Sequence, residues 1–90
     1  MPADESHGEW QVTWGLRALN AAAGYLSDDR EGVAGVMAVS RELETQPLRP
    51  DAFPLGSPTR LRLHVGRYRV AYHVDEQERL VTIVRLGRLV

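Results

Sequence analysis

Between residues 60 and 73 the chain reads Arg60-Leu61-Arg62-Leu63-His64-Val65-Gly66-Arg67-Tyr68-Arg69-Val70-Ala71-Tyr72-His73. In an extended strand successive side chains point to opposite faces. Arg60, Arg62 and His64 therefore share one face, and Leu61, Leu63 and Val65 share the other. In the strand that follows, Arg67, Arg69, Ala71 and His73 lie together, opposite Tyr68, Val70, Tyr72 and Val74. Guanidinium groups hold phosphate or carboxylate oxygens through paired hydrogen bonds. Histidine exchanges protons near neutral pH. The chemistry this pattern suits is the binding of an anion, with His64 or His73 as acid or base beside it. If Val65-Gly66 makes a two-residue turn, His64 faces Arg67, Arg62 faces Arg69 and Arg60 faces Ala71. Like charges placed opposite each other cost up to about 1 kcal/mol, so an arginine ladder makes sense when phosphates or an acidic partner lie on it. An ordinary solvent-facing sheet surface, in a chain that uses arginine for every cation, has the same pattern. The spacing alone leaves both readings open.

The elements needed to position these residues follow from the rest of the chain. Trp10-Gln11-Val12-Thr13-Trp14 alternates as a strand does. Leu16, Leu19, Ala23 and Leu26 recur at helical spacing in an alanine-rich stretch and form the expected buried face of a first helix. Asp28 with Glu31 resembles a capping pair for a second helix, which would present Val33, Val36, Met37, Ser40 and Leu43. Pro47, Pro50, Pro54 and Pro58 then predict an extended surface loop over 45–58, anchored by Phe53 and Leu55. Strand-like runs follow at 60–65, 67–74 and 80–86, with a turn at Asp75-Glu76-Gln77-Glu78. The expected fold class is α+β: a strand, a two-helix hairpin, then a three-stranded antiparallel meander, forming one sheet packed against the helices. Residues 1–8 read as a flexible polar tail and residues 9–90 as a single domain.

Composition narrows the function classes. The chain has 90 residues, 43% of them hydrophobic, and no cysteine, which excludes a disulfide scaffold, a thiolate zinc site and a thiol nucleophile. There is no H-x-x-x-H pair, carboxylate cluster, nucleophile elbow or glycine-rich phosphate loop, so neither a metal nor a cofactor is expected. The acidic start lacks the basic and apolar regions of a signal peptide, and no apolar run nears a membrane span, so the expectation is a cytoplasmic protein. The net charge of −1 conceals a strong asymmetry. Residues 1–59 carry nine acids against four arginines, and residues 60–90 carry seven arginines against three acids. A small domain so polarised has one end that attracts anions.

The segment Leu55-Gly56-Ser57-Pro58-Thr59-Arg60-Leu61-Arg62-Leu63-His64-Val65-Gly66-Arg67-Tyr68-Arg69-Val70-Ala71-Tyr72-His73-Val74-Asp75 resembles the RelE/ParE toxin superfamily. Its members typically read L-x-G-S…R-L-R-V-G-x-Y-R-V-x-Y-x-V-D here, followed by a strand ending in R-V-G-H-R. Leu80 to Arg88 is similar to that last strand, and the resemblance covers about residues 10–88. It implies a RelE-like fold and the toxin of a bacterial type II toxin–antitoxin pair, held in check by a cognate antitoxin. RelE-like members cut mRNA on the ribosome without a metal: a 2′-hydroxyl attacks the neighbouring phosphate while basic side chains stabilise the developing charge. By position in the motif Arg69 matches the arginine of the family's Tyr-Arg pair, and Arg60 and Arg62 match basic positions upstream. Arg60, Arg62 and Arg69 are thus the implied catalytic set, with His64, His73 and Arg88 as further candidates. The sequence departs from the mRNA-cleaving branch where that branch carries a further arginine and a tyrosine: Leu89 stands at the arginine position, and the tyrosine has no counterpart. The alternatives are a ParE-type inhibitor of DNA gyrase and a catalytically disabled toxin that mainly binds its antitoxin. The arginine set favours the endoribonuclease.

Overall fold

Strict alternation of large apolar and polar residues makes β3 (Arg60–Val65) and β4 (Tyr68–Asp75) the centre of the molecule. A computed structural model describes residues 9–90; the tail expected over residues 1–8, His7 included, lies outside the described residues. β5 (Leu80–Arg88) follows β4 antiparallel after a turn in which Arg79 has φ 51°. These strands form the expected meander, and the sheet extends beyond it on both sides. β1 (Gln11–Trp14) adds to the outer side of β5 in parallel, and β2 (Phe53–Ser57) pairs antiparallel with β3, giving the order β1-β5-β4-β3-β2.

β2 corrects the expectation of an extended loop throughout 45–58. Pro54 cannot donate to a ladder, but an edge strand has one unpaired side and tolerates it. The register shifts between Pro54 and Ser57, where Gly56 adopts φ 79°. The rest of the proline-rich segment is tied down from within. The Tyr72 hydroxyl donates to the Pro47 carbonyl at 2.8 Å, and Arg49 bridges Asp51 at 2.9 Å and Glu42.

The two helices cover one face of the sheet. α1 (Leu16–Leu26) packs on β5, and α2 (Arg30–Glu42) packs on β3 and β4. The core joins Leu61, Leu63, Tyr68, Val70, Tyr72, Val74, Val81, Ile83 and Leu86 from the strands to Ala18, Ala22, Val33, Val36 and Leu43. The buried face of α1 differs from the expected one. Ala18 and Ala22 face the sheet, whereas Leu16, Leu19 and Leu26 are 74%, 52% and 49% exposed. Alanines let the helix lie close to the strands, and the leucines are left on the far side. Met37 of α2 is exposed as well.

The cap of α2 is Asp29, one residue later than expected. Its carboxylate accepts the Gly32 amide at 3.1 Å, the Tyr68 hydroxyl at 2.8 Å and the Arg67 guanidinium at 3.2 Å. The single residue thus satisfies a helix terminus and fastens it to the β3–β4 turn. No helix among the described residues is long and apolar enough to cross a membrane.

Candidate functional site

The β3–β4 turn is Gly66-Arg67, with Val65 paired to Tyr68 and Gly66 at φ 60°. This moves the register two residues from the expected one. Arg60 faces His73, Arg62 faces Ala71 and His64 faces Arg69. The arginine-on-arginine ladder does not form, because each arginine on this pair of strands is set opposite a histidine or an alanine. Repulsion across the rungs is thereby relieved while the positive charge stays on one face. Arg67 leaves that face altogether, since it lies in the turn and reaches Asp29 on the helix side.

The solvent face of β3 and β4 brings together Arg60, Arg62, His64, Arg69 and His73. Arg60, Arg62 and His64 are exposed, and Arg69 and His73 are half-buried. Nη1 of Arg69 donates to the Gly66 and Tyr68 carbonyls, both at 3.2 Å, so its guanidinium is held over the turn beside His64. Phe53 of β2 packs edge-on against the imidazole of His64, ring centroids 4.9 Å apart. The pKa of His64 is lowered, first by desolvation and then by the positive charges of Arg69 and Arg62. The arrangement sets an imidazole beside two guanidinium groups, which disfavour its protonation.

Arg88 is not brought to this set. It pairs with Tyr68 on the core side of the sheet, binds Asp28 at 2.7 Å and stacks 4.4 Å above the Tyr25 ring. Its hydrogen bonds to Asp28 and Tyr68 raise its pKa further, as befits a cation held by fixed acceptors. The observed role is to clamp the end of β5 to the loop between the helices.

Two arginines that the sequence reading passed over do reach the polar face. In β5 the pairing jumps from Tyr72–Ile83 to Ala71–Arg85, leaving Val84 as an extra residue. Without this bulge Arg85 would follow Val81 and Ile83 into the core; with it, Arg85 faces out beside Ala71. Arg17 arrives from α1. Gly15 donates its amide to the Ile83 carbonyl at 2.8 Å, and a Cβ there would come within 3.3 Å of that oxygen, so the close approach suits glycine. The helix therefore begins against the bulge. Arg17, Arg60 and Arg85 line a recess of about 300 Å³ with Leu55, Ala71 and Val84. The break in the 81–83–86 spacing of buried residues is the signal that could have revealed Arg85; Arg17 had none. Among the described residues no three of His, Asp and Glu gather as metal ligands.

This fold of two helices on a five-stranded sheet is shared with known proteins. The family model of the ParE toxin of the type II toxin–antitoxin system parDE covers residues 16–88. The chain belongs to this family, within the RelE/ParE superfamily, and is a toxin of a type II toxin–antitoxin system. No curated protein matches it. Among solved structures it is similar to the toxin–antitoxin complex RelBE2 from Mycobacterium tuberculosis, with a TM-score of 0.77, 21% identity and coverage of 92% of this chain and 94% of that one. The archaeal RelE–RelB complex from Pyrococcus horikoshii gives 0.76, 21%, 89% and 94%, respectively. The chromosomal ParDE system from P. aeruginosa gives 0.69, 15%, 92% and 99%. At such identities these likenesses establish the fold.

Proposed function

We propose that this toxin is a metal-independent endoribonuclease acting on ribosome-bound mRNA, with the chemistry on the solvent face of β3 and β4. The observation that carries the reading is the position of the His64 imidazole on the polar face, opposite Arg69 and two residues from Arg62, where desolvation and the two cations lower its pKa. A neutral imidazole can take the proton of a 2′-hydroxyl. That oxygen then bonds to the adjacent phosphorus, the bond to the 5′ oxygen breaks, and the leaving oxygen takes a proton from water, whose hydroxide is neutralised by the proton on the imidazolium. The products are a 2′,3′-cyclic phosphate and a free 5′-hydroxyl. Arg62 and Arg69 stabilise the additional charge on the phosphoryl oxygens, and Arg69, held by the turn carbonyls, needs little reorganisation to do so.

The match to the ParE family model favours a second reading, inhibition of DNA gyrase without RNA cleavage. One pair of assays separates the two. Translating ribosomes supplied with this protein should yield cut message with cyclic phosphate ends, and His64→Gln should abolish the cuts. Intact message together with loss of gyrase supercoiling refutes the nuclease and establishes the second reading. The partner that restrains the toxin is a cognate antitoxin, as in the toxin–antitoxin complexes it resembles. We assign it the apolar groove of about 370 Å³ between α1 and α2, where Trp14, Leu19, Leu26, Val33 and Met37 meet.

A further inference from the structure

The recess of Arg17, Arg60 and Arg85 lies beside the His64 set and is not needed for the chemistry proposed there. Its three guanidinium groups come from a helix, a strand and a strand bulge that are remote in sequence. Among the described residues none of the three is in an ion pair. Arg17 stands in the first turn of α1, where a cation opposes the helix dipole; that turn has no acidic residue, and its cap Gly15 supplies no side-chain bond. An anion bound at this place would relieve the repulsion among the arginines and also meet the favourable end of the dipole. Leu55, Ala71 and Val84 give the recess an apolar wall. Its volume is at the lower end of small-ligand pockets, which run from about 300 to 1,000 Å³.

Spacing identifies the ligand. Arg60 and Arg62 are two residues apart on β3, a rise of about 7 Å, comparable to the distance between successive phosphates in an extended nucleic-acid strand. We propose that the recess binds the phosphate next to the one held at Arg62, His64 and Arg69, with its sugar against Leu55 and Val84. It is a subsite for single-stranded RNA, and this assignment rests on the nuclease reading and deepens it. No aromatic ring lines the recess, so it offers no stacking platform and holds the strand without regard to base.

The test is a titration of the folded protein with a labelled six-nucleotide single-stranded RNA of mixed sequence, followed by anisotropy at several salt concentrations. Arg17→Gln and Arg85→Gln should each weaken binding about tenfold, the usual loss for one charge-assisted contact. Each should also lower the slope of log affinity against log salt by roughly 0.7. Arg41→Gln, in the last turn of α2 and outside the recess, should bind within twofold of the parent. Melting temperatures equal to the parent's show that the arginine variants are folded. Unchanged affinity and salt slope in both Arg17→Gln and Arg85→Gln overturn the subsite, even where the parent cuts message. Weakened RNA binding in both variants upholds it, even where the parent leaves ribosomal message intact and the cleavage reading falls. If the two variants bind RNA normally but lose affinity for the antitoxin, the recess is a carboxylate site in the toxin–antitoxin interface and the proposal is refuted.

Discussion

Alanine in place of glycine inside a helix normally stabilises by about 0.5–1 kcal/mol, and two glycines of this protein should respond with opposite signs. Gly24 of α1 is exposed, and a Cβ there meets nothing within 4 Å. Gly24→Ala should therefore stabilise by the usual amount. A Cβ on Gly32 would collide with Oδ2 of Asp29 and come within 2.7 Å of Cε2 of Tyr68. Neither neighbour can yield cheaply. Asp29 is fixed by its bonds to the Gly32 amide, Tyr68 and Arg67, and the Tyr68 ring is buried to 1% exposure with Tyr25 edge-on against it at 5.5 Å. Overpacking of this kind costs about 1–3 kcal/mol, and the displaced carboxylate also gives up its capping bond, so Gly32→Ala is destabilising despite the better helix former. For a domain of this size 1 kcal/mol moves the melting temperature by about 4–8 °C. Calorimetry should show Gly24→Ala melting a few degrees above the parent and Gly32→Ala well below it. A Gly32→Ala protein that melts with or above Gly24→Ala refutes the claim that Asp29 and Tyr68 fill the space over the helix start.

Three further outcomes follow from the site and its supports. Arg69→Ala removes one exposed and one part-buried bond to turn carbonyls, so denaturant titration should show a loss of about 0.5–1 kcal/mol; cleavage, measured by primer extension, should fall about 100- to 1,000-fold. Because desolvation and the neighbouring arginines lower the pKa of His64, the acidic limb of the cleavage profile should lie below pH 6.5, and Arg69→Gln should move it upward; an acidic limb above pH 6.5 in the parent would exclude His64 as the base. Asp28 and Asp29 titrate below the ordinary 3.8, Asp28 through Arg88 and Asp29 first through Tyr68 and the Gly32 amide. The unfolded chain therefore takes up their protons first, and the stability they confer is present above the ordinary carboxylate range and lost as pH falls through their folded-state values. Arg88→Gln should raise the midpoint of acid unfolding followed by near-ultraviolet circular dichroism, and an unchanged midpoint would show that the Arg88–Asp28 clamp does not contribute.

What could be read from the sequence was whatever depends on neighbours along the chain. Alternation in 60–65 and 68–75 fixes which side chains are buried, since period two needs no knowledge of the partner strand. The register of the same two strands was misread by two residues because Gly66 fits either turn, and the deciding contact, Arg67 and Tyr68 on Asp29, spans 38 and 39 positions. The face of α1 was misread for a different reason. Leu16, Leu19 and Leu26 form the more apolar stripe, but burial went to Ala18 and Ala22, whose small side chains allow close packing on β5. A stripe of large apolar residues marks a surface that avoids water, and it does not say whether this chain or another covers it.

The arginine face shows how one inserted residue can carry a site beyond local reading. Continued alternation after Val81 and Ile83 would bury Arg85 and turn Leu86 outward, which the physics of burial forbids. The sheet resolves the conflict at Val84, whose insertion reverses the facing of every later residue in β5. Leu86 enters the core, Arg85 joins Arg60 and Arg17, and Arg88 falls on the helix side, where Asp28 and Tyr25 receive it. One bulge thus divides two arginines three positions apart, assigning one to the polar face and the other to the frame. Deleting Val84 removes the extra residue and leaves Ile83 and Leu86 in the core and Arg85 facing out, now in an unbroken ladder, so such a protein should keep its cooperative thermal transition. A Val84 deletion that loses its cooperative transition would refute the assignment of Val84 as the inserted residue that sets the facing of Arg85 and Leu86.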